Sequence, residues 1–210
     1  MRIDPLTFEG FNRVLTGVVV PRPIAFVSTV APDGVVNLAP FSFFNAVSYD
    51  PPTIVFSSSR SAGYKSKDTL RNIEETGEFV VSIVVDSIAE AMNKTAAEFP
   101  EDVDEFAIAG LTHSPSEMVK APGVAESPVK MECKLEQVVP IGSGERAHGL
   151  VIGTILVMHV RDDVIEGHRI NQEKLMATGR MAGNMYCRTG DRFEMVRPVY
   201  DPKKSLSAYR

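Results

Sequence analysis

The chain has 210 residues, 44% of them hydrophobic and 23% charged, which fits an ordinary globular protein built as one domain over residues 1–210. A formal net charge of -5 supplies no broad basic field, so duplex nucleic acid and acidic membrane surfaces are set aside in favour of small molecules or other proteins. Cys133 and Cys187 stand far apart without a CxxC spacing, and there is no apolar leader or membrane-length apolar run, so neither a disulfide framework nor a zinc site is expected and the expected location is cytoplasmic.

In chain order, Met1 to Gly17 reads as a lead-in with one short helical turn. Ile24 to Val30 is rich in β-branched and aromatic residues, Pro32-Asp33-Gly34 supplies turn chemistry, and Val35 to Ala39 resumes an extended pattern, which predicts a β-hairpin. Pro40 has no N–H for a strand ladder, so the second strand should end or become irregular there. Phe41-Ser42-Phe43-Phe44-Asn45 follows, setting donors beside apolar walls as small-molecule pockets do, although Phe43 and Phe44 are assigned to the barrel core.

After the break at Asp50-Pro51-Pro52, Thr53 to Phe56 is a short buried strand ending in Ser57-Ser58-Ser59-Arg60. Hydroxyls and a guanidinium at a strand end can hold a phosphate, where a bare serine run would be a solvated loop. Ser66-Lys67-Asp68-Thr69 then opens a helix that stops at Gly77. Its first-turn N–H groups, with Lys67 and Thr69 beside them, form either a second phosphate site or a plain helix start in which Asp68 is an acid favoured by the helix dipole.

Glu78 to Val85 is nearly continuous in apolar residues and is expected to be covered on both faces, and Ile88 to Thr95 is a short helix. A second helix begins around Pro100, and its acids Glu101, Asp102, Asp104 and Glu105 lack the spacing of a calcium loop and read as a solvated helix start. No metal site is expected. Gly110 to Pro128 reads as a connection over the surface.

From Val129 to Glu136 the pattern alternates, placing Val129, Met131, Cys133 and Leu135 toward the core and Lys130, Glu132, Lys134 and Glu136 toward water. Cys133 is therefore a small buried hydrophobe. Leu150 to Val160 is the most apolar strand, so both its faces need cover, from a closed barrel or from a partner subunit. A short helix around Asn171 to Leu175 precedes the tail Thr178 to Tyr186.

Short strands, hairpin signals and few helices predict a mainly β protein, an antiparallel barrel with inserted helices. No GxGxxG follows a strand, so any nicotinamide cofactor is not held in a Rossmann domain. The run PRPIAFVSTVAPDGVVNLAPFSFFNAVSYDPP, with SSSR, KDTLRNIEETGEFVV, MNKTAAEFP, VDEF, GLT, VAESPV and GRMAGNMY after it, resembles the flavin reductase-like family of FMN-binding split barrels over nearly the whole chain.

That resemblance implies a homodimer of six-stranded split barrels with FMN at or near the subunit interface. Asn37, Ala39, Pro40, Phe41 and Ser42 would line the isoalloxazine; Ser57, Ser58, Ser59 and Arg60 would meet the ribityl chain and phosphate; Lys67, Asp68 and Thr69 would close round the phosphate; and Arg180 would approach the flavin from the same or the other subunit. Ala182 stands where the family pattern has a glycine, and His148, His159 and His168 are the positional candidates for a residue over nicotinamide. The implied activity is transfer of hydride from NAD(P)H to FMN and of electrons to a monooxygenase or other acceptor. The alternatives are an FMN electron carrier of the flavoredoxin kind and, ranked below it, a split barrel binding haem or another ligand.

Overall fold

A computed structural model describes residues 1–59, 67–144 and 147–203. After α1 (Phe11–Val18) the chain builds β1 (Ala25–Val30), β2 (Val36–Phe41), β3 (Phe44–Tyr49), β4 (Pro52–Ser59), α2 (Asp68–Thr76), β5 (Glu78–Ile83), α3 (Ala89–Lys94) and α4 (Glu105–Ala109). The short strands β6 (His113–Ser114) and β7 (Gly123–Val124) precede the two longest, β8 (Val129–Ile141) and β9 (His148–Val160). β10 (Ile165–Glu166), β11 (Arg169–Ile170), α5 (Gln172–Leu175), β12 (Thr178–Arg180) and β13 (Tyr186–Arg188) complete the order.

Seven strands form one antiparallel sheet in the order β2-β1-β5-β8-β9-β4-β3. The outermost two, β2 and β3, are separated in the chain only by Ser42 and Phe43, so the sheet must curl until its edges meet there. A Ser57 N–H to Phe43 carbonyl bond of 2.9 Å ties this corner. Where six strands are expected the sheet has seven, with Val36 to Tyr49 broken at the corner into β2 and β3. At the far end of the hairpin, Gly34 takes a positive φ of 95° and donates to the Ala31 carbonyl at 2.9 Å, a turn that Gly tolerates without strain.

Strand alternation splits the interior into two cores. Ala25, Val27, Phe41, Phe56, Phe79 and Cys133 fill the barrel with Leu70 and Ile73 of α2, so α2 packs into it. Phe26, Leu38 and Val84 point to the other side, where Met92 of α3, Phe106 of α4 and Val124 cover them. β5 is buried on both faces, as its unbroken apolar run predicted. Burial pushes the Cys133 thiol far up, in keeping with a packing role.

Glu132 departs from its predicted place. It is 1% exposed, while Lys134 and Glu136 of the same strand face water. Its carboxylate accepts from the N–H groups of Glu117 (2.9 Å), Met118 (2.6 Å) and Val119 (3.2 Å) and lies 2.6 Å from His159 Nε2. Two causes act together: the 115–120 stretch folds over this face, and the register slips between Glu132–Val157 and Cys133–Ile155, leaving Leu156 as a bulge. Gly110 to Pro128 is correspondingly no plain surface connection, since Ala121 to Val124, Ser127 and Pro128 are buried and Ser28 Oγ donates to the Pro122 carbonyl.

Phe43 also departs from the core assignment. It is 42% exposed at the corner, whereas Phe44 packs on the barrel core. The outward side of β9 is half covered, with Leu156 42% and Met158 47% exposed.

Candidate functional site

Two cavities are lined by successive residues of the β2–β3 corner, Phe41 in the first and Ser42 and Phe43 in the second. The first, about 270 Å³, lies between the edge of β2 (Asn37, Ala39, Pro40, Phe41), the start of α2 (Lys67, Asp68, Thr69) and the 95–101 stretch before α4. It brings together seven of the residues proposed from sequence. Leu38 turns its N–H away from β1 to Glu105 (2.9 Å), so by alternation Pro40 also faces the open edge, where its missing N–H breaks no ladder bond.

A buried polar chain fixes this edge to α2. Thr69 Oγ1 donates to Asn37 Oδ1 (2.6 Å), Asn37 Nδ2 donates to Glu105 Oε1 (3.0 Å), and Glu105 Oε2 takes the Leu38 N–H. Glu105 is 6% exposed, which corrects its reading as part of a solvated helix start. The helix begins at Glu105 itself, capped by Asp104, whose side chain accepts from the Phe106 N–H. Burial pushes the Glu105 carboxyl above the usual carboxylate range, against the pull of its bonds from Leu38 and Asn37.

The charges lining this cavity are mixed: Lys67 and the start of α2 stand on one side, and Asp68, Glu98, Glu101 and Glu105 also line it. The N-cap Lys67 makes no side-chain cap bond, so among the described residues no N-cap side chain takes the first-turn N–H groups of α2. Of the acids that line the cavity, Asp68 and Glu101 are both engaged by Arg71, at 2.9 and 3.1 Å, which offsets their charge.

The second cavity, about 520 Å³, is lined by Arg13 and Thr16 of α1, Arg22, Ser42, Phe43 and the 180–183 segment. Arg22 is 6% exposed and holds the walls together: Nη1 donates to the Thr16 and Val19 carbonyls (both 2.7 Å), Nη2 to the Met181 carbonyl (3.1 Å) and Nε to Ser42 Oγ (3.3 Å). Its guanidinium stands 5.8 Å from the Phe43 ring centroid. Arg180 lies over Tyr186 at 4.5 Å and donates to the Gly183 carbonyl. Burial and the Arg180 charge lower the pKa of Arg22.

Ser42 and Arg180 are therefore placed in the second cavity, apart from the other proposed residues. The serine run is divided by the pleat. Ser58 points into the barrel and is fully buried, while Ser57 and Ser59 are half-buried on the other face, Ser57 Oγ lying 3.1 Å from His148 Nδ1. Arg60 lies outside the described residues. Among the histidine candidates, His148 sits on β9 opposite Ser59, and His159 is joined to Glu132. Sequence reasoning missed Glu105, Arg22 and the Thr95 to Pro100 wall; an acid immediately before Phe106 and an arginine between two prolines were the available signals.

Comparison with known proteins places this geometry. Residues 17–191 match the model of the flavin reductase like domain. An uncharacterized protein of Halalkalibacterium halodurans is 44% identical over 198 residues, covering 93% of this chain and 95% of that one. Nitrilotriacetate monooxygenase component B from Bacillus cereus superposes with a TM-score of 0.89 at 41% identity, covering 93% of this chain and 98% of the other. A split barrel domain protein from Shewanella frigidimarina shares the fold, with a TM-score of 0.80 at 21% identity over 95% of this chain and all (100%) of that one. The open, curled sheet described above is thus a split barrel, and the chain belongs to the flavin reductase-like family of flavin-binding oxidoreductases.

Proposed function

We propose that the protein is an NAD(P)H-dependent flavin reductase that holds FMN in the first cavity, works as a cytoplasmic homodimer and passes electrons to an oxygenase component or another acceptor. The observation that carries this reading is the cavity itself: an apolar wall, Ala39 to Phe41, set beside the uncapped start of α2 with Lys67 at its mouth. A flat ring with a phosphorylated tail needs that pairing of an apolar face and an anion site. Bound flavin would supply the redox chemistry, taking hydride from nicotinamide and giving electrons onward.

The protein's own part is orientation and charge. The Thr69–Asn37–Glu105 chain holds the β2 edge at a fixed distance from α2, and Arg71 offsets Asp68 and Glu101 so that an incoming phosphate is not repelled. Ser57, Ser59 and Arg60 remain proposed for the ribityl and phosphate end, whereas the burial of Ser58 inside the barrel takes it out of that role. Membership of a family that includes a monooxygenase component B supports an oxygenase as acceptor.

Titration of FMN and riboflavin into Lys67→Gln and Arg60→Ala tests the assignment. Each variant should weaken FMN about tenfold, the order of a charge-assisted bond to phosphate, and riboflavin less than about twofold. Equal losses for the two ligands would remove these residues from the phosphate role.

A further inference from the structure

We infer that the second cavity, between α1, the Ser42-Phe43 corner and the 180–183 segment, binds the phosphates of the nicotinamide dinucleotide through Arg13 and Arg180. This rests on the reductase reading above and adds to it where the electron donor is gripped. The first observation is charge. Three guanidiniums line the cavity, no acid does, and among the described residues no carboxylate pairs with Arg13, Arg22 or Arg180.

The second is how the cations are held. Arg22 and Arg180 exchange main-chain bonds, Arg22 N–H to the Arg180 carbonyl at 3.0 Å and Arg180 N–H to the Arg22 carbonyl at 2.8 Å. Residues opposed in this way send their side chains to the same side, so two like charges are locked together. Such crowding opposes folding unless an anion relieves it. Arg22 has its guanidinium bonded to the chain on four acceptors, so it serves as the floor of the cavity. Arg180 keeps N–H groups beyond its one bond to Gly183, and Arg13 stands exposed on α1; these two can fork onto phosphate oxygens.

The third is placement. Phe41 lines the first cavity and the next two residues, Ser42 and Phe43, line the second. Hydride transfer requires two flat rings face to face while their anionic tails leave by separate routes. Two cavities lined by successive residues of one corner, the first with the start of α2 and Lys67 in its wall and the second with three guanidiniums, provide those routes. The ring of Phe43, 42% exposed at the corner and 5.8 Å from the Arg22 guanidinium, gives a nicotinamide or adenine an apolar surface.

The test is calorimetric titration of the flavin-loaded protein with NAD⁺ and with inorganic pyrophosphate, beside Arg13→Gln and Arg180→Gln. Wild type should bind both probes, more weakly as salt rises, and each variant should lose tenfold or more for both and raise the KM for the reduced dinucleotide by a similar factor. Affinities within twofold of wild type in both variants would overturn the assignment, as would a selective loss of FMN over riboflavin, which would give the cavity to the flavin phosphate. Should Arg180→Gln fail to fold because Tyr186 loses its stacking partner, Arg13→Gln decides alone. Flavin that stays oxidised with NADH and NADPH, while the variants still lose NAD⁺ and pyrophosphate, removes the reductase reading and leaves this cavity assigned. Flavin bleached with an unaltered KM in both variants does the reverse.

Discussion

Glu132 and Glu105 are two buried carboxylates with opposite pH signatures. For Glu132, burial pushes the pKa up, but the N–H groups of Glu117 and Met118 and the contact with His159 outweigh it and hold the carboxyl below its ordinary range. Its contribution is therefore present above the unfolded-state value and is lost as pH falls through the folded-state one. Glu132→Ala strips four partners from one buried site and should cost about 3 kcal/mol or more at neutral pH, read from urea unfolding, with Glu132→Gln milder and less sensitive to acid. Glu105, held above its ordinary range by burial, binds more protons folded than unfolded between its unfolded-state value and its raised folded-state one, so its contribution is full below the former and is lost as pH rises through the latter. Glu105→Gln should flatten that slope in the same assay; an unchanged slope would show that Glu105 is not its source. Neither role was legible in the sequence. Parity placed Lys134 and Glu136 in water correctly, but Glu132 is covered by a stretch distant in the chain, and Glu105 is buried only because α4 packs on β2.

At the level of elements, the hairpin of β1 and β2, the stop of α2 at Gly77 and the buried β5 could all be read from local pattern. β3 could not, because an edge strand whose residues are nearly all exposed carries no apolar period. The serine run shows the same limit, since its hydroxyls read together as a phosphate grip and the pleat sends them to opposite faces. In β9 the informative residue is Gly153. A Cβ there would lie 2.5 Å from the Phe79 ring and 3.2 Å from the Lys134 carbonyl oxygen. Gly153→Ala should therefore destabilise by about 1–3 kcal/mol through overpacking, seen as a lower denaturant midpoint, and a neutral outcome would mean that the Phe79 ring has room to move.

For the whole molecule, the curled sheet explains why the site lies at one corner: closing the edges through Ser42 and Phe43 brings the start of α2, the 95–101 stretch and the 180–183 segment around a single bend. The apolar outward side of β9, with Val47 57% and Tyr49 95% exposed on β3, supports the proposed homodimer. Light scattering should give twice the chain mass of 23.0 kDa, and a monomeric mass with tightly bound FMN would contradict it. The measurement that bears most directly on the account is the absorbance of the FMN-loaded protein after anaerobic rapid mixing with NADH or NADPH. The account predicts that the bound flavin bleaches on a catalytic timescale with at least one of the two donors. Flavin that remains oxidised with both would contradict it.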